Sequence, residues 1–319
     1  MTVLLADGAK AVIGLDIGGT KTRGIRIMDG SITDDRSTGS ANVQNVTLEE
    51  AARRLGELLS ALGASEAGAV VVGAGGIDTD ADAEQLRRLV APHAPRADVT
   101  VIHDTRLILA AGGTDTGIAV ISGTGSAVWG TSATGQTSRA GGWGYLLGDE
   151  GSGYWFGREA VRHSLDRANR GHDTDLLTRE LLGYCGLAAP EELISLFHGT
   201  AGRHYWADTS RLVFDAAEAG HGPSLAIIDA GARRLAEQAA LVAARIGEPG
   251  PVVLGGGLVT NQPAYQQNIR EHLEGHGLHD VRVLTREPVF GVLHLARGRA
   301  GIQPSSWFRR DTERYARAR

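Results

Sequence analysis

The chain is poor in the residues that would place it in several common classes. Its 319 residues include a single cysteine, Cys185, so a disulfide within the chain is impossible and a cysteine-based metal centre would need ligands from elsewhere. We expect Cys185 to be a buried, small apolar residue. No run of about 18 apolar residues occurs, so no membrane-spanning helix is expected. Residues 1–10 lack a basic segment followed by an apolar one, so we expect no signal peptide and a cytoplasmic protein.

Lysine is also scarce, because Lys10 and Lys21 are the only two, and the net charge is −5. This balance argues against non-specific nucleic-acid binding, which needs a basic face. The P-loop pattern G-x-x-x-x-G-K-[ST] is absent, and Gly255-Gly256-Gly257 does not have the G-x-G-x-x-G spacing of dinucleotide sites. A P-loop is therefore excluded and a nicotinamide cofactor is disfavoured.

The chain does contain short apolar segments typical of strands, which alternate with segments whose apolar residues recur at helical spacing. Its length predicts two lobes, and an apolar fraction of 42% is enough for sizeable cores. The alternation predicts an α/β protein with mixed sheets. Strands are predicted at 11–17, 22–28, 69–73, 99–102, 117–122, 126–130, 251–254 and 281–284. Helices are predicted at 47–62, 83–91, 105–111, 262–274 and 288–300, and through most of 153–247.

One segment of the opening is echoed later in the chain. Asp16-Ile17-Gly18-Gly19-Thr20 aligns with Ser122-Gly123-Thr124-Gly125-Ser126, each following an apolar strand. The echo predicts two similar lobes, at 1–115 and 116–302, each opened by a glycine hairpin. The polar, arginine-rich tail 303–319 is expected to be mobile or peripheral.

Three glycine turns, at 18–19, 123–125 and 255–257, each follow a predicted strand. Such turns offer backbone N–H groups to anions and let a phosphate approach without a side-chain clash. Hydroxyls accompany the first two turns, and together the three indicate a nucleotide site. These hydroxyls belong to Thr20, Thr22, Thr124 and Ser126.

Two aspartates lie at the ends of predicted strands. Asp16 precedes the first turn, where it would hold Mg²⁺ through water or cap the hairpin by bonding the N–H groups of the turn. Asp104 follows the strand 99–102 and His103, where it would act as a general base or cap the next helix. The local sequence leaves both pairs of alternatives open.

The segment 141–155 combines turn-forming glycines with aromatic residues and one acidic pair. Glycines let the backbone approach a ligand, and the aromatic faces can stack on sugars. Asp149 comes just before an amphipathic stretch, so its carboxylate is expected near a helix N-terminus. The segment is interpreted as a polar-ligand loop, the alternative being a glycine-rich surface loop.

With these residues in view, the chain resembles the N-acetylglucosamine kinase branch of the BadF/BadG/BcrA/BcrD ATPase family, within the sugar kinase–actin–heat-shock ATPase superfamily. The resemblance covers roughly residues 11–300. It implies an α/β fold with two actin-like (ribonuclease H-like) lobes, mixed sheets flanked by helices and a cleft between the lobes. It is carried by two phosphate motifs, an adenosine motif and a sugar motif, at Gly14–Thr22, Val120–Ser126, Val253–Gly257 and 141–155.

The resemblance also implies roles for single residues. Asp104 is similar to the catalytic base, which also contacts the sugar. The role of Asp16 as the Mg²⁺ ligand is expected from its position beside the first turn and not from the resemblance. Further sugar contacts are implied for Asn42, Gly142, Trp143, Gly144 and Asp149. ATP contacts are implied for Gly18, Gly19, Thr20, Lys21, Gly123, Thr124, Gly125, Ala217, Gly255, Gly256 and Gly257.

The activity so implied is ATP-dependent phosphorylation of an amino sugar, at the 6-hydroxyl of N-acetylglucosamine. Val43 and Gln44 leave no aromatic near Asn42 to pack an acetyl group, so glucosamine is the alternative substrate, whereas the motif at 148–153 favours the acetylated sugar. His103 stands where the family usually has asparagine. A sugar-independent ATPase and a non-catalytic sugar sensor or assembly protein are the competing functions. A homodimer is an expectation by analogy with the family.

Overall fold

The computed structural model describes residues 11–77, 79–199 and 201–297. Ten strands are described: β1 (Val12–Ile17), β2 (Lys21–Met28), β3 (Ser31–Gly39), β4 (Ala69–Ala74), β5 (Asp98–His103), β6 (Gly117–Ser122), β7 (Ser126–Thr131), β8 (Thr137–Gly141), β9 (Val252–Gly255) and β10 (Val281–Val283). The described helices are α1 (Leu48–Ala61), α2 (Asp80–Val90), α3 (Asp104–Ala111), α4 (Gly153–Asn169), α5 (Leu176–Cys185), α6 (Glu192–His198), α7 (Arg203–Asp208), α8 (Ser210–Glu218), α9 (Gly222–Ile246), α10 (Gly257–Thr260), α11 (Pro263–Gly275) and α12 (Gly291–Arg297).

These elements divide into two compact units. The first comprises the described residues up to Thr116, Thr131–Thr137 and the described residues from Leu284 onwards, and the second comprises Gly117–Gly130 and Ser138–Val283. The predicted first lobe, 1–115, ends next to this division. The predicted second lobe, 116–302, includes a segment from Leu284 that the structure groups with the first unit.

The first unit is a five-stranded sheet of order β3-β2-β1-β4-β5. β1 pairs antiparallel with β2 and parallel with β4, and β4 pairs parallel with β5, so the sheet is mixed as predicted. Successive side chains of β4 point to opposite faces of the sheet, and both faces are covered by apolar residues. Val70 and Val72 face a core that includes Leu55 of α1, whereas Val71 belongs to a core with Leu107 of α3.

A segment late in the chain, residues 289–295, completes the second of these cores. Val289, Val292 and Leu295 pack with Leu107 and Val71, which is why residues from Leu284 join the first unit. The predicted helix 288–300 is divided into a 3-10 turn, Pro288–Phe290, and α12. Its last three residues, and the predicted tail 303–319, lie outside the described residues.

The second unit contains a sheet of order β10-β9-β6-β7-β8. β9 pairs parallel with both β6 and β10, whereas β6 and β7 are neighbours joined by the turn 123–125, a link that only an antiparallel pair can close. The predicted helical region is resolved into six helices, α4–α9, between β8 and β9. Phe156, Trp206, Leu235 and Tyr265 are buried in its core.

Most predicted strands and helices are confirmed, and Thr47 caps α1 by accepting from the Glu50 N–H at 3.2 Å. Two strands, β3 and β8, were not predicted from the sequence. β3 is largely exposed, and its polar side chains do not alternate with apolar ones. Cys185 was expected to be buried and is only partly so, at the edge of the second core.

Candidate active site

Asp104 opens α3 directly after β5, at the carboxyl end of a parallel strand of the first unit. The interpretation of this aspartate as a helix cap is wrong, because His103 occupies the N-cap position. The His103 Nδ1 atom accepts the Thr105 backbone N–H at 3.3 Å. The Asp104 carboxylate is therefore not used to begin the helix.

The two carboxylate oxygens of Asp104 have different surroundings. Oδ1 is buried and has no hydrogen-bond donor among the described residues. The His103 Nδ1 atom is 2.9 Å from Oδ1, and in the neutral tautomer whose Nδ1 accepts the Thr105 N–H it offers Oδ1 no proton. Oδ2 lies against Gly75, where a Cβ would be 3.0 Å from it. A buried acceptor without a donor is costly unless a ligand supplies one.

Asn42 lies on the other side of Gly75. Its Nδ2 donates to the Gly75 carbonyl at 3.1 Å, and its Oδ1 accepts the Gln44 N–H at 2.9 Å. A Cβ at Gly75 would be 3.9 Å from Asn42 Nδ2 and 3.0 Å from Asp104 Oδ2. The structure thus brings the predicted sugar contacts Asn42 and Asp104 together around a glycine that was not among the predicted site residues.

Asp16 lies at the end of β1 with other carboxylates nearby. Burial, then repulsion by Asp104 and Glu287, raises the pKa of Asp16 to about 7, although Lys21 and Arg23 act in the opposite direction. The turn after Asp16 is closed by the backbone, since the Gly18 N–H donates to the Lys21 carbonyl at 2.9 Å. Crowded carboxylates of this kind favour a proton or a cation.

This donor set fits Mg²⁺. Carboxylate oxygens are its preferred ligands, and it is commonly held by one or two carboxylates while keeping several waters. Asp16 is the residue that would hold it, and a bound cation would relieve the repulsion from Asp104 and Glu287.

Glu287, just before the 3-10 turn Pro288–Phe290, forms ion pairs with Lys21 and Arg23 beside the first turn, and no local pattern in the sequence marks it. Its carboxylate lies 2.9 Å from Lys21 Nζ and 2.6 Å from an Arg23 guanidinium nitrogen. The pKa of Glu287 is lowered because these hydrogen bonds outweigh its burial. Of the predicted ATP contacts in this turn, Gly19, Thr20 and Lys21 are exposed and Gly18 is half-buried.

In the second unit, the turn 123–125 meets the turn at 255–257. The strands before them, β6 and β9, are paired neighbours, and a Cβ at Gly123 would lie 3.6 Å from the Gly257 nitrogen. Gly256 has φ of +100° and its α-carbon lies against the Ser122 backbone, so a side chain there has neither the conformation nor the space. Two of the three predicted phosphate turns are therefore adjacent.

The segment 149–153 lies against the same turn. Ser152 caps α4 by accepting the Trp155 N–H, while the Gly153 N–H donates to the Gly123 carbonyl at 2.8 Å. Ser126 Oγ donates to the Glu150 carbonyl at 2.7 Å. The predicted position of Asp149, just before a helix N-terminus, is confirmed by these contacts.

Asp149 is buried, with 3% of its surface exposed, and has the positive φ of +59°. Burial raises the pKa of Asp149, although Arg203 and the backbone N–H groups of Ser126 and Gly144 oppose the shift. Arg203 donates to Oδ2 at 3.2 Å. This arginine was not predicted from the sequence, because it lies 54 positions further along the chain without a surrounding motif.

The remaining predicted sugar contacts lie in the loop before Asp149. Trp143 is 58% exposed, and one face of its ring is covered by the Arg139 guanidinium at 4.4 Å. Gly142 and Gly144 have φ of +70° and +83°, which turn the chain on either side of this ring. Ala217 is buried in α8, which packs against α4, α5 and α9.

None of the described helices is both long enough and apolar enough to span a bilayer. Three comparisons with known proteins bear on the chain. It is 33% identical over 236 residues to the N-acetylmuramic acid/N-acetylglucosamine kinase of Clostridium acetobutylicum, covering 71% of this chain and 77% of that protein. It is 27% identical over 308 residues to the N-acetyl-D-glucosamine kinase of Dictyostelium discoideum, covering 89% and 97%.

The fold is shared with a candidate N-acetylglucosamine kinase from Porphyromonas gingivalis. The TM-score is 0.72 at 22% identity, over 92% of this chain and all 100% of that one. The sequence pattern of the BadF/BadG/BcrA/BcrD ATPase family matches residues 13–283, which is most of the chain. Both the predicted α/β architecture and the family resemblance are confirmed: the chain belongs to the BadF/BadG/BcrA/BcrD ATPase family.

Proposed function

We propose that this protein is an ATP-dependent kinase of amino sugars that transfers the γ-phosphoryl group to the 6-hydroxyl of N-acetylglucosamine. The observation that carries the proposal is the buried Oδ1 of Asp104, which has no donor among the described residues. A sugar hydroxyl is the donor that such an oxygen needs. The names of the two sugar-kinase relatives support the same substrate class.

The residues of the first unit act on the sugar. Asp104 accepts the proton of the attacking hydroxyl, whose oxygen forms a bond to the γ-phosphorus while the bond to the ADP oxygen breaks. Asn42 positions the sugar beside Asp104. Gly142, Trp143, Gly144 and Asp149 of the second unit are proposed as the further sugar contacts.

We assign the binding of the nucleotide mainly to the glycine turns. Gly123, Thr124 and Gly125, with Gly18, Gly19, Thr20 and Lys21, are proposed to contact the phosphates, and Ala217 with Gly255, Gly256 and Gly257 the adenosine. Asp16 would hold Mg²⁺, which supplies charge neutralisation to the phosphates when it is bound. The protein's own contribution is to position the hydroxyl and to accept its proton.

A panel of sugars tests the proposal. ADP release is measured with N-acetylglucosamine, glucosamine, N-acetylmannosamine, N-acetylmuramic acid, glucose and no sugar, and the product is examined by phosphorus–proton correlation NMR. We expect N-acetylglucosamine to give the highest kcat/KM, with phosphorus coupled to the protons on carbon 6. ADP release that does not depend on any sugar would instead identify an ATPase. No turnover with any sugar, despite nucleotide binding, would identify a sensor.

A further inference from the structure

Arg203 places a cationic group beside the phosphate turn of the second unit. A Cβ at Gly125 would collide with an Arg203 guanidinium nitrogen and would lie 2.6 Å from Asp149 Oδ2. The absence of a side chain at position 125 thus leaves room for the guanidinium directly against the turn. Arg203 begins α7 and its side chain remains 39% exposed, so one side of the group is open to a ligand.

The guanidinium is held in this position from two sides. Asp149 accepts one of its N–H groups at 3.2 Å, and Asp149 is itself fixed by the backbone N–H groups of Ser126 and Gly144. The ring of Tyr145 lies 5.7 Å from the guanidinium carbon. Among the residues that the structure describes, Asp149 is the one hydrogen-bond partner of Arg203. A guanidinium has five N–H groups, so most of them remain available.

The turn itself supplies further unpaired donors. In the described part of the chain, the backbone N–H groups of Thr124 and Gly125 have no acceptor, whereas the Gly123 N–H donates to the Gly125 carbonyl at 2.9 Å. Two amides and a pre-oriented guanidinium on one turn form a donor set for anionic oxygens. A neutral sugar hydroxyl does not require such a set.

We propose that Arg203 is an anion-binding residue of the active site, which holds either the transferred phosphoryl group of ATP or the carboxylate of an acidic amino sugar. This inference rests on the proposed sugar-kinase function and deepens it. The shared chemistry is an oxyanion in contact with a guanidinium that Asp149 positions. The carboxylate source corresponds to N-acetylmuramic acid, the acidic sugar in the name of one relative.

The test compares Arg203→Met and Arg203→Lys with the matched control Arg211→Met. Arg211 is also an exposed arginine of the second unit that lies over a tyrosine ring, at 5.1 Å from the centre of Tyr184. Steady-state kcat/KM is measured for ATP, N-acetylglucosamine and N-acetylmuramic acid, and thermal unfolding shows that each variant is folded. We expect Arg203→Met to lower at least one of these constants by about tenfold or more, which is the scale of a charge-assisted hydrogen bond.

The pattern of the loss distinguishes the two anions. An equal loss with both sugars, together with a loss in kcat/KM for ATP, assigns the phosphoryl group. A loss confined to N-acetylmuramic acid assigns the carboxylate. We expect Arg203→Lys to retain part of the activity, and added guanidinium ion to restore part of the rate of Arg203→Ala, which a purely structural role would not allow.

The inference is overturned if Arg203→Met keeps all three constants within about twofold of the wild type, as Arg211→Met should. That result leaves the proposed function intact, since the wild type still phosphorylates a sugar. If the wild type phosphorylates no amino sugar, the proposed function fails first. The affinity for a non-hydrolysable ATP analogue then tests whether Arg203 binds the phosphoryl group. A tenfold loss of affinity in Arg203→Met supports that role, and an unchanged affinity overturns it.

Discussion

The two units have the same strand order but different chemistry at corresponding turns. β3-β2-β1-β4-β5 in the first matches β8-β7-β6-β9-β10 in the second, so the turns at 18–20 and 123–125 occupy equivalent places. The first turn is flanked by the ion pair of Lys21 and Glu287, whose side chains are exposed by 55% and 36%. The second has a buried aspartate, Asp149, fixed by backbone amides and by Arg203.

The fifth strand shows a second difference. β5 ends in His103 and is followed at once by Asp104, whose Oδ1 has no donor in the described part of the chain. β10, its counterpart, ends at Val283 and is followed directly by Leu284 rather than by an acidic residue. The shared strand order therefore places an equivalent backbone turn in each unit. The units differ in the residues that follow their strands, and the proposed base follows a strand of the first unit. The comparison predicts that a carboxylate of the first unit accepts the proton, whereas the carboxylates of the second unit hold substrate or neighbouring side chains in position.

Asp104→Asn should have the largest effect. The amide cannot accept the proton of the attacking hydroxyl, so we expect kcat to fall by at least about 10²-fold, the low end for loss of a general base. Binding of the sugar, followed by calorimetric titration, should persist. Asp98→Asn, at the exposed start of the same strand, is the matched control and should retain full activity. A near-normal rate in Asp104→Asn would show that Asp104 is not the catalytic base.

Asp16→Asn should affect activity and stability in opposite directions. Without the carboxylate, kcat should fall about tenfold or more and the Mg²⁺ concentration for half-maximal rate should rise. The pKa of Asp16, raised to about 7, means that ionisation costs stability as the pH rises from its ordinary value near 4 through 7. The Tm of the nucleotide-free variant should therefore exceed the wild type by at least about 2 °C at pH 8, and by less at pH 5.

The partly exposed carboxylate of Asp34 gives a control for this stability effect, because Arg36 lowers its pKa rather than raising it. Asp34→Asn should not raise Tm at pH 8. If Asp16→Asn changed neither the Mg²⁺ dependence nor the pH trend of Tm, Asp16 would not be the Mg²⁺ ligand and its ionisation would not lower stability.

Much of this comparison could be predicted from the sequence, because glycine turns and apolar strands are local signals. The alignment of residues 16–20 with 122–126 anticipated the repeated unit, and the structure pairs β1 with β2 as expected. β3 was not predicted because its stability comes from pairing with β2 and from ion pairs such as Arg23 with Asp35, rather than from an apolar face.

The partners of the candidate site residues could not be predicted in the same way. Arg203 and Glu287 approach their turns only after the chain has folded, at sequence separations that leave no spacing to recognise. In the sequence, Gly75 does not differ from other glycines that follow strands, because its contact with Asp104 forms only in the fold. The sequence predicted the residue types at the ends of strands, whereas the ion pairs that orient them depend on tertiary packing.

Gly125→Ala tests whether the second turn depends on its ion pair. The new methyl group would collide with the Arg203–Asp149 pair, so we expect a loss of about 1–3 kcal/mol in the free energy of unfolding, measured in urea, and a weaker ATP affinity. Gly123→Ala is the matched control for the free energy of unfolding, since the nearest atom is 3.6 Å from its Cβ. At the first turn, Gly19→Ala would meet the flexible Asn45 amide at 3.3 Å and should be milder. Equal losses for Gly125→Ala and Gly19→Ala would contradict the difference between the turns.

The smallest effect on catalysis is expected at Asp175, which joins α4, α5 and α9 among the helices that lie between β8 and β9. Asp175 caps α5 by accepting the Thr178 N–H at 3.0 Å, and its Oδ2 lies 2.7 Å from His163 Nε2 and 3.0 Å from His221 Nε2. Such a group of side chains can bind a metal. However, the Arg167 Nε is 3.4 Å from the same Oδ2, a cation where the metal would lie, so we interpret the group as a hydrogen-bonding centre that joins three helices.

Asp175→Asn should therefore lower stability and leave kcat/KM within about twofold. Burial alone would raise the pKa of Asp175, but the Thr178 N–H and His163 outweigh it and the pKa is lowered. The stabilisation is thus fully present above the ordinary aspartate pKa and is lost as the pH falls below about 3.9. We expect a loss of about 1–2 kcal/mol in urea unfolding at pH 6 and a smaller one at pH 3, whereas exposed Asp173→Asn should cost little at either. A tenfold loss of kcat/KM in Asp175→Asn, with stability unchanged, would mean that Asp175 acts on the active site itself rather than only joining the helices around it.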